Sequence, residues 1–302
     1  MRRLLLAALL ATCTAAPLAP VGAAPIAMQA LTSLTFAFTV GALQVTALND
    51  GEGQFPNDGK ILAPKERVAT LLAGAGLPTD DFVLTVSALL VHDGTRTILI
   101  DAGYGRNGPP ATGNLVKALA EAGIAPGKIT DIVISHPHGD HVGGLFGADG
   151  KPVFANAKLH MAAAAWEAMK AAPGAAAMTA ALAPRFVPFP SNGAIAPGVR
   201  AVGIAGHTPG HSGVDIASRG QHLLYVGDAF HHYVVSVGGA DLDMAFDADG
   251  PTAKASRKAL LARAADQHLR LYVPHFPFPG LGTIRRDGDS YAWVPEVAPG
   301  FP

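Results

Sequence analysis

Apolar and polar residues alternate in many short segments of the chain, a pattern typical of β-strands. It predicts strands over residues 34–40, 43–48, 83–91, 97–100, 132–134, 199–204, 222–226 and 271–273. We expect the second strand to end at the turn Asn49-Asp50-Gly51, and residues 92–94 to join the next two strands. Both halves of the chain are therefore expected to contain sheet.

Apolar residues at helical spacing lie between these strands. Residues 115–122 are predicted as a helix that is capped by Asn114 and ended by Gly123. Further helices are predicted near residues 162–172 and 252–266. The alanine-rich stretch around the first of these is broken by a Pro-Gly pair, which indicates two helical pieces that either only pack or also cover a pocket. Mixed strands and helices in both halves favour an α/β fold.

Composition narrows the class of protein and of partner. The 302 residues are 49% hydrophobic and 15% charged and include 35 glycines, which indicates a compact, loop-rich globule. A formal net charge of -1 provides no field for a polyanion, so no nucleic-acid partner is expected. A small neutral molecule is the expected substrate.

The N-terminus has the pattern of an export signal. Residues 1–24 are predicted to be a signal peptide removed on export, and residues 25–302 one domain of a periplasmic or secreted protein. The apolar run is too short to span a bilayer, so no stable membrane insertion is expected. Cys13, the only cysteine, either carries a lipid or is removed with the peptide. After removal the chain has no thiol for redox chemistry or metal binding.

Histidines and aspartates follow apolar strands at four points in the chain. Loops at the carboxyl ends of strands meet at one edge of an α/β sheet, so we expect these residues to lie together. Any one of these histidines alone would be an ordinary core or surface residue, but the set indicates a metal site. The candidate ligands are His136, His138, Asp140, His141, His207, Asp228 and His275.

The spacing divides these candidates between two ions. In the segment His-x-His both rings face the same way, because alternate residues of an extended chain share a face. A carboxylate has two oxygens, so one aspartate can bridge both ions. The ligands favour two divalent ions, best zinc, with manganese, iron or cobalt as alternatives. The assignment is His136, His138 and His207 to one ion, Asp140, His141 and His275 to the other, and Asp228 to both.

These motifs resemble those of the metallo-β-lactamase-fold hydrolases: His-Pro-His-Gly-Asp-His at residues 136–141, Gly-His-Thr-Pro-Gly-His at 206–211, Gly-Asp at 227–228, and His275. Within that family the chain is most similar to methyl parathion hydrolases and related quorum-quenching lactonases, through residues 48–51, 100–103 and 275–282. The likeness covers nearly all of the mature chain. It implies a four-layer αβ/βα sandwich, with two sheets face to face and helices outside, and a homodimer.

Two further polar residues are expected near the ligands. Asp101 either hydrogen-bonds a ligand histidine or the loop backbone, or only caps a turn. His211 follows a Pro-Gly turn after His207, and we expect it to orient its neighbours rather than to bind metal.

The expected chemistry is hydrolysis by a metal-activated water, with Asp228 favoured over Asp140 as the proton relay. Related lactonases carry a tyrosine three residues after the bridging aspartate, where its hydroxyl reaches the carbonyl. This chain has His231 there, which either replaces that donor or is an ordinary histidine. Four aromatic residues are candidate pocket walls, although each could equally lie in the core: Trp166, Phe230, Phe276 and Phe278.

The predicted function is hydrolysis of a neutral ester-like bond in an acyl-homoserine lactone or aryl lactone, with side activity on phosphotriesters. A dedicated organophosphate hydrolase is the main alternative, because His231 leaves lactone specificity open. The sequence favours a β-lactamase less than either of these functions, since β-lactamases of this fold usually lack the bridging aspartate. The non-enzyme alternative is a metal-binding protein, and the presence of Asp228 argues against it.

Overall fold

Two seven-stranded sheets make up most of the computed structural model, which describes residues 33–296. In spatial order the first contains β1 (Thr35–Val40), β2 (Leu43–Pro56), β4 (Asp81–His92), β5 (Thr97–Ile100), β6 (Asp131–Val133), β7 (Lys158–Ala162) and β8 (Phe186–Phe189). The second contains β16 (Ser290–Pro295), β15 (Leu281–Asp287), β14 (Leu271–Tyr272), β12 (Gln221–Tyr225), β11 (Ser212–Ser218), β10 (Val199–Gly203) and β9 (Ala194–Ala196). A short ribbon pairs β3 (Leu62–Ala63) with β13 (Asp243–Met244).

Helices pack on the sheets from outside. In the described part of the chain they are α1 (Lys65–Gly74), α2 (Leu115–Glu121), α3 (Gly139–Val142), α4 (Ala163–Ala171), α5 (Ala176–Leu182), α6 (Val235–Gly238) and α7 (Gly250–Asp266). Helix α2 contacts β2, α4 contacts β7, and α7 contacts β15. The buried leucines Leu260 and Leu261 of α7 pack on the second sheet. Each such side chain stabilises the fold by about 1.5–3 kcal/mol.

The main core lies between the two sheets. Val45 and Leu89 of the first sheet and Val214 and Leu223 of the second belong to one buried cluster. Strand β4 is buried from residue 84 to residue 91 because its two faces are both covered. The expected αβ/βα sandwich is confirmed.

The predicted turn at residues 49–51 is wrong, because β2 continues through it to Pro56. The pairing with β4 shifts between Asn49 and Gly51, which marks a β-bulge. Buried Asp50 accepts hydrogen bonds from the backbone N–H groups of Tyr104, Gly113 and Leu115. The polar residue therefore anchors a neighbouring loop instead of ending the strand.

The predicted strands and helices otherwise occur with shifts of a few residues at their ends. The signal peptide and Cys13 lie outside the described residues, so export and the single domain stay predictions. Within residues 33–296 no helix is both long enough and apolar enough to span a membrane.

Strand direction brings the functional loops together. β5 and β6 are parallel in the first sheet, and β12 and β14 are parallel in the second. The loops that follow these four strands carry Asp101, His136, Asp228 and His275. The carboxyl ends of strands from both sheets therefore meet at one edge of the sandwich.

Candidate metal centre

The structure brings all seven candidate ligands together. They form two groups in which the nitrogen and oxygen atoms lie within 4.8 Å of one another. The groups are His136, His138, His207 and Asp228, and Asp140, His141, Asp228 and His275. The division and the shared aspartate are those expected from the sequence.

Asp228 presents one carboxylate oxygen to each group. Oδ1 lies 3.0 Å from Nε2 of both His141 and His275. Oδ2 lies 3.2 Å from Nε2 of His207 and 3.5 Å from Nε2 of His136. This is the arrangement that a bridging carboxylate requires.

Hydrogen bonds on the far side of three imidazoles turn Nε2 toward the centre. Nδ1 of His141 lies 2.7 Å from Oδ2 of Asp101, and Nδ1 of His207 lies 2.9 Å from Oδ1 of Asp247. Nδ1 of His275 lies 2.8 Å from the Thr85 carbonyl oxygen. Such partners fix the tautomer that leaves Nε2 as a lone-pair donor.

The donor set fits divalent metal ions. It offers five imidazoles and two carboxylates, which suit zinc and its neighbours in the first transition row. Nε2 of His141 is buried and, although it lies 3.0 Å from Oδ1 of Asp228, makes no well-formed hydrogen bond among the described residues. An unpaired polar atom is costly in the interior, and a bound cation removes that cost.

Asp101 supports the second group. In addition to His141, its carboxylate accepts hydrogen bonds from the backbone N–H of Ser135 at 2.7 Å and from the Ser135 hydroxyl at 2.6 Å. The hydroxyl of Tyr225, from the second sheet, donates to Oδ2 at 2.6 Å. Of the two predicted roles, the structure shows the contact with a ligand histidine.

His211 lies beside the centre with both ring nitrogens occupied. Nδ1 is 2.8 Å from the Ile204 carbonyl oxygen, and Nε2 accepts the backbone N–H of Asp228 at 3.0 Å. Burial lowers the pKa of His211 to about 4, so the ring is neutral and can accept this bond. The ring orients the Asp228 backbone, as the sequence predicted.

The cluster of imidazoles keeps Asp228 ionised. Burial alone raises the pKa of a carboxyl, but His141 and His275 outweigh it and hold the pKa of Asp228 well below its usual range. Burial, reinforced by the charge of His141, lowers the pKa of His136. The charge of Asp228 outweighs burial at His141, His207 and His275 and raises their pKa values, so a cation that binds here takes the place of the protons on these imidazoles.

A cavity of about 260 Å³ opens onto the centre. His138, Asp140, Asp228 and His275 lie at its polar end. Its apolar side is formed by Phe55, Leu84, Val86 and Phe246. The described residues that line it include no lysine or arginine. The cavity is therefore suited to an uncharged, partly apolar molecule.

The predicted pocket walls are wrong. Trp166 packs in the core against Phe186, with ring centroids 4.4 Å apart. Phe230 and Phe276 are fully buried in the cluster beneath α7, and Phe278 packs on the main core. None of the four lines the described cavity, because each side chain points into a sheet or helix interface. No residue of the alanine-rich helices α4 and α5 lines the described cavity, and their role as a lid stays a prediction.

His231, the residue at the position where the family resemblance predicts a tyrosine, does line the cavity. Its ring stacks on that of His275, with centroids 5.5 Å apart, and its Nε2 lies 3.3 Å from Oδ2 of Asp228. Neither ring nitrogen makes a well-formed hydrogen bond among the described residues. Burial lowers the pKa of His231 to about 4, so the ring is neutral at physiological pH.

The sequence interpretation missed several residues of the site. Asp247, which contacts His207, lies in the loop before α7 and is not part of a recognisable motif. Its carboxylate also pairs with Arg257 at 3.1 Å. Tyr225 is indistinguishable in sequence from an apolar strand residue. Tyr104 directly follows residues 100–103, one of the segments that carry the family resemblance. This position next to a family motif was the one feature of the sequence that could have indicated Tyr104 as a site residue. Burial, followed by the charge of Asp140, raises the pKa of Tyr104 to about 12.

Comparisons with known proteins agree with this geometry. The structure is similar to that of AidC, a dizinc quorum-quenching lactonase in complex with a product, N-hexanoyl-L-homoserine. The TM-score is 0.82 and the identity 28%, over 88% of this chain and 98% of that one. It is also similar to AbOPH, a hydrolase in the β-lactamase superfamily, with a TM-score of 0.80 and 25% identity over 89% and 99% of the two chains.

Sequence comparisons give the family. A segment of 48 residues is 48% identical to metallo-beta-lactamase domain-containing protein 1 of Mus musculus, and it spans 16% of this chain and only 17% of the mouse protein. Residues 81–275 match the model of the metallo-beta-lactamase superfamily. The closer likeness to methyl parathion hydrolases stays a prediction. The chain belongs to the metallo-β-lactamase superfamily.

Proposed function

We propose that this metal-dependent hydrolase opens neutral lactones that carry an apolar substituent, such as acyl-homoserine lactones or aryl lactones. The observation that carries the proposal is the cavity, which joins two metal-binding groups to an apolar wall. An ester group at the polar end would lie beside Asp228, with its substituent against Phe55 and Leu84. The likeness to AidC, a quorum-quenching lactonase, supports this substrate class.

Residues of this chain hold and orient the reacting groups. Two divalent ions, when bound, supply Lewis-acid activation of water and of the substrate's carbonyl group. Asp228 holds the two groups in register through its two oxygens, and Asp140 lies at the cavity wall within 3.6 Å of His275. As an ionised carboxylate at the polar end, Asp228 is the group we assign to accept a proton from the attacking water.

The lining argues against charged substrates. A β-lactam antibiotic carries a carboxylate, and no cationic side chain among the described lining residues pairs with one. When the scissile bond lies at the metal-binding groups, that carboxylate would lie against the apolar wall without a cationic partner, which is costly in desolvation. A neutral lactone meets no such cost.

A substrate panel tests the proposal directly. Purified protein is analysed for metal and then assayed with an acyl-homoserine lactone, dihydrocoumarin, a paraoxon-type triester and a chromogenic cephalosporin. We expect two divalent ions per chain and the highest kcat/KM for one of the two lactones. If the fully metal-loaded protein opens neither lactone, the proposal is wrong.

A dedicated organophosphate hydrolase is the second candidate. It is favoured by His231, because the resemblance to lactonases predicts a carbonyl-binding tyrosine at this position and the chain has histidine there. A neutral phosphotriester would also suit the uncharged lining. A kcat/KM for the triester well above that for both lactones would select this function.

A further inference from the structure

Tyr104 is the one hydroxyl-bearing side chain among the described residues that line the cavity. It borders the cavity together with His138 and Asp140 and is half-buried. No group in residues 33–296 forms a hydrogen bond with its hydroxyl; the bond that Tyr104 does make uses its backbone N–H. The cavity therefore contains a phenol whose donor capacity is not used within the protein.

The position of Tyr104 is fixed from three sides. Its backbone N–H donates to Oδ2 of buried Asp50 at 2.9 Å. A Cβ on Gly143 would lie 2.1 Å from the Tyr104 carbonyl oxygen, so this close approach requires glycine. A Cβ on Gly108 would lie 2.4 Å from Cγ of the Tyr104 ring, so the ring also packs against backbone. A donor held in this way needs little reorganisation when a substrate binds.

His231 is less suited to contact the substrate as a donor. Its ring lies parallel to His275, and its closest polar neighbour is the bridging carboxylate of Asp228 at 3.3 Å. It is also almost completely buried, at 2% exposure, whereas Tyr104 is half-buried. Of the two polar residues in the lining outside the metal-binding groups, Tyr104 is the more exposed, and both ring nitrogens of His231 are buried.

We propose that the Tyr104 hydroxyl donates a hydrogen bond to the carbonyl oxygen of the bound lactone and so sets the orientation of its ester bond. The inference rests on the proposed function, since it assigns a contact to the same substrate class. Tyr104 takes no part in bond making or breaking. Tyr104 lies in the first half of the chain, in the loop after β5, and supplies a phenol to a cavity in which residue 231, from the second half, is a histidine.

The test compares Tyr104→Phe with a matched control. Tyr233→Phe also removes a half-buried hydroxyl with no hydrogen bond among the described residues, but Tyr233 does not line the cavity. For the lactone that the wild type opens fastest, we expect Tyr104→Phe to lower kcat/KM about tenfold to a hundredfold, mostly through kcat. The carbonyl oxygen gains charge as the ring opens, so the bond is strongest in the transition state. Tyr233→Phe should change neither constant.

A binding measurement separates this proposal from the proposed function. A γ-lactam with the same substituent keeps the carbonyl and resists hydrolysis, so calorimetry with metal-loaded protein reports the contact without turnover. We expect Tyr104→Phe to bind the lactam about threefold to tenfold more weakly than the wild type. Unchanged lactam affinity and lactone kinetics in Tyr104→Phe would overturn the proposal, as would absence of lactam binding by the wild type. Lactam binding that depends on Tyr104, without lactone turnover, would overturn only the proposed function.

Discussion

Asp228 is the residue on which both metal-binding groups depend. Its two oxygens face different groups at 3.0–3.5 Å, and His211 holds its backbone N–H. Loss of this side chain removes one ligand from each ion and the assigned proton acceptor. No other carboxylate among the described residues belongs to both groups.

We therefore expect Asp228→Ala to bind about one ion fewer per chain and to lose activity by at least about a thousandfold, because its ligand and base functions disappear together. Metal content is measured by elemental analysis, and activity with the best substrate of the panel. Asp289→Ala, at an exposed site, is the control and should match the wild type. Full metal content and wild-type turnover in Asp228→Ala would show that the site is not shared.

Single residues also show what sequence can and cannot reveal. The ligands were predictable because each follows a strand within a short motif, so local order determines where they lie. The apolar wall of the cavity was not predictable, because nothing in the sequence distinguishes Phe55 and Leu84 from the many other apolar residues of the strands. Which face of β2 or β4 borders the cavity depends on packing between elements. Trp166 and Phe276 were predicted because an apolar substrate needs flat apolar surfaces, but the residue type does not show which face of an element the side chain lies on.

At the scale of elements, the loop after β5 is held by the bulge in β2. Asp50, in that bulge, binds the backbone of residues 104, 113 and 115. Gly103 makes this possible, since a Cβ there would lie 2.5 Å from Cγ of Asp50 and its φ is 66°. The predicted turn failed because the role of Asp50 depends on a loop far away in sequence.

Gly103→Ala should consequently destabilise the protein by about 2–4 kcal/mol, through left-handed backbone strain and overpacking against Asp50. Gly123→Ala is a matched control, because Gly123 has a φ of 75° but open space around a Cβ. It should lose only about 1–2 kcal/mol. The free energies of unfolding are measured in denaturant. Equal losses in the two variants would contradict the close packing of Asp50.

At the scale of the whole molecule, the two sheets meet at Asp101. Its carboxylate forms hydrogen bonds with His141 and Ser135 from the first half of the chain and accepts one from the Tyr225 hydroxyl of the second sheet. Tyr225→Phe should weaken binding of an ion by the group that contains His141 about tenfold, because Asp101 then holds His141 less firmly. Competition with a chromogenic zinc chelator measures the affinity. Tyr291→Phe, on the edge of the same sheet, should leave it unchanged, and an equal effect in both variants would refute the link.

Metal removal should also affect global stability. Without ions, the buried imidazoles and carboxylates lose their common partner, and ligands that bind only the folded state stabilise it by mass action. At about a thousandfold excess over Kd this amounts to about 4 kcal/mol, or roughly 10 °C in Tm for a chain of this size. Thermal unfolding with and without a chelator measures the shift. Zinc should restore the Tm and magnesium should not; an unchanged Tm after complete removal would contradict a structural contribution.

The division of the ligands between the two halves of the chain has a consequence for biogenesis. His136, His138, Asp140 and His141 leave the ribosome well before Asp228 and His275. A nascent first half holds an incomplete set, so an ion bound early exchanges until the second sheet has closed. A chain that ends before β14 lacks His275 and therefore holds only part of the second group. Both groups are complete only when the loops of both sheets have come together.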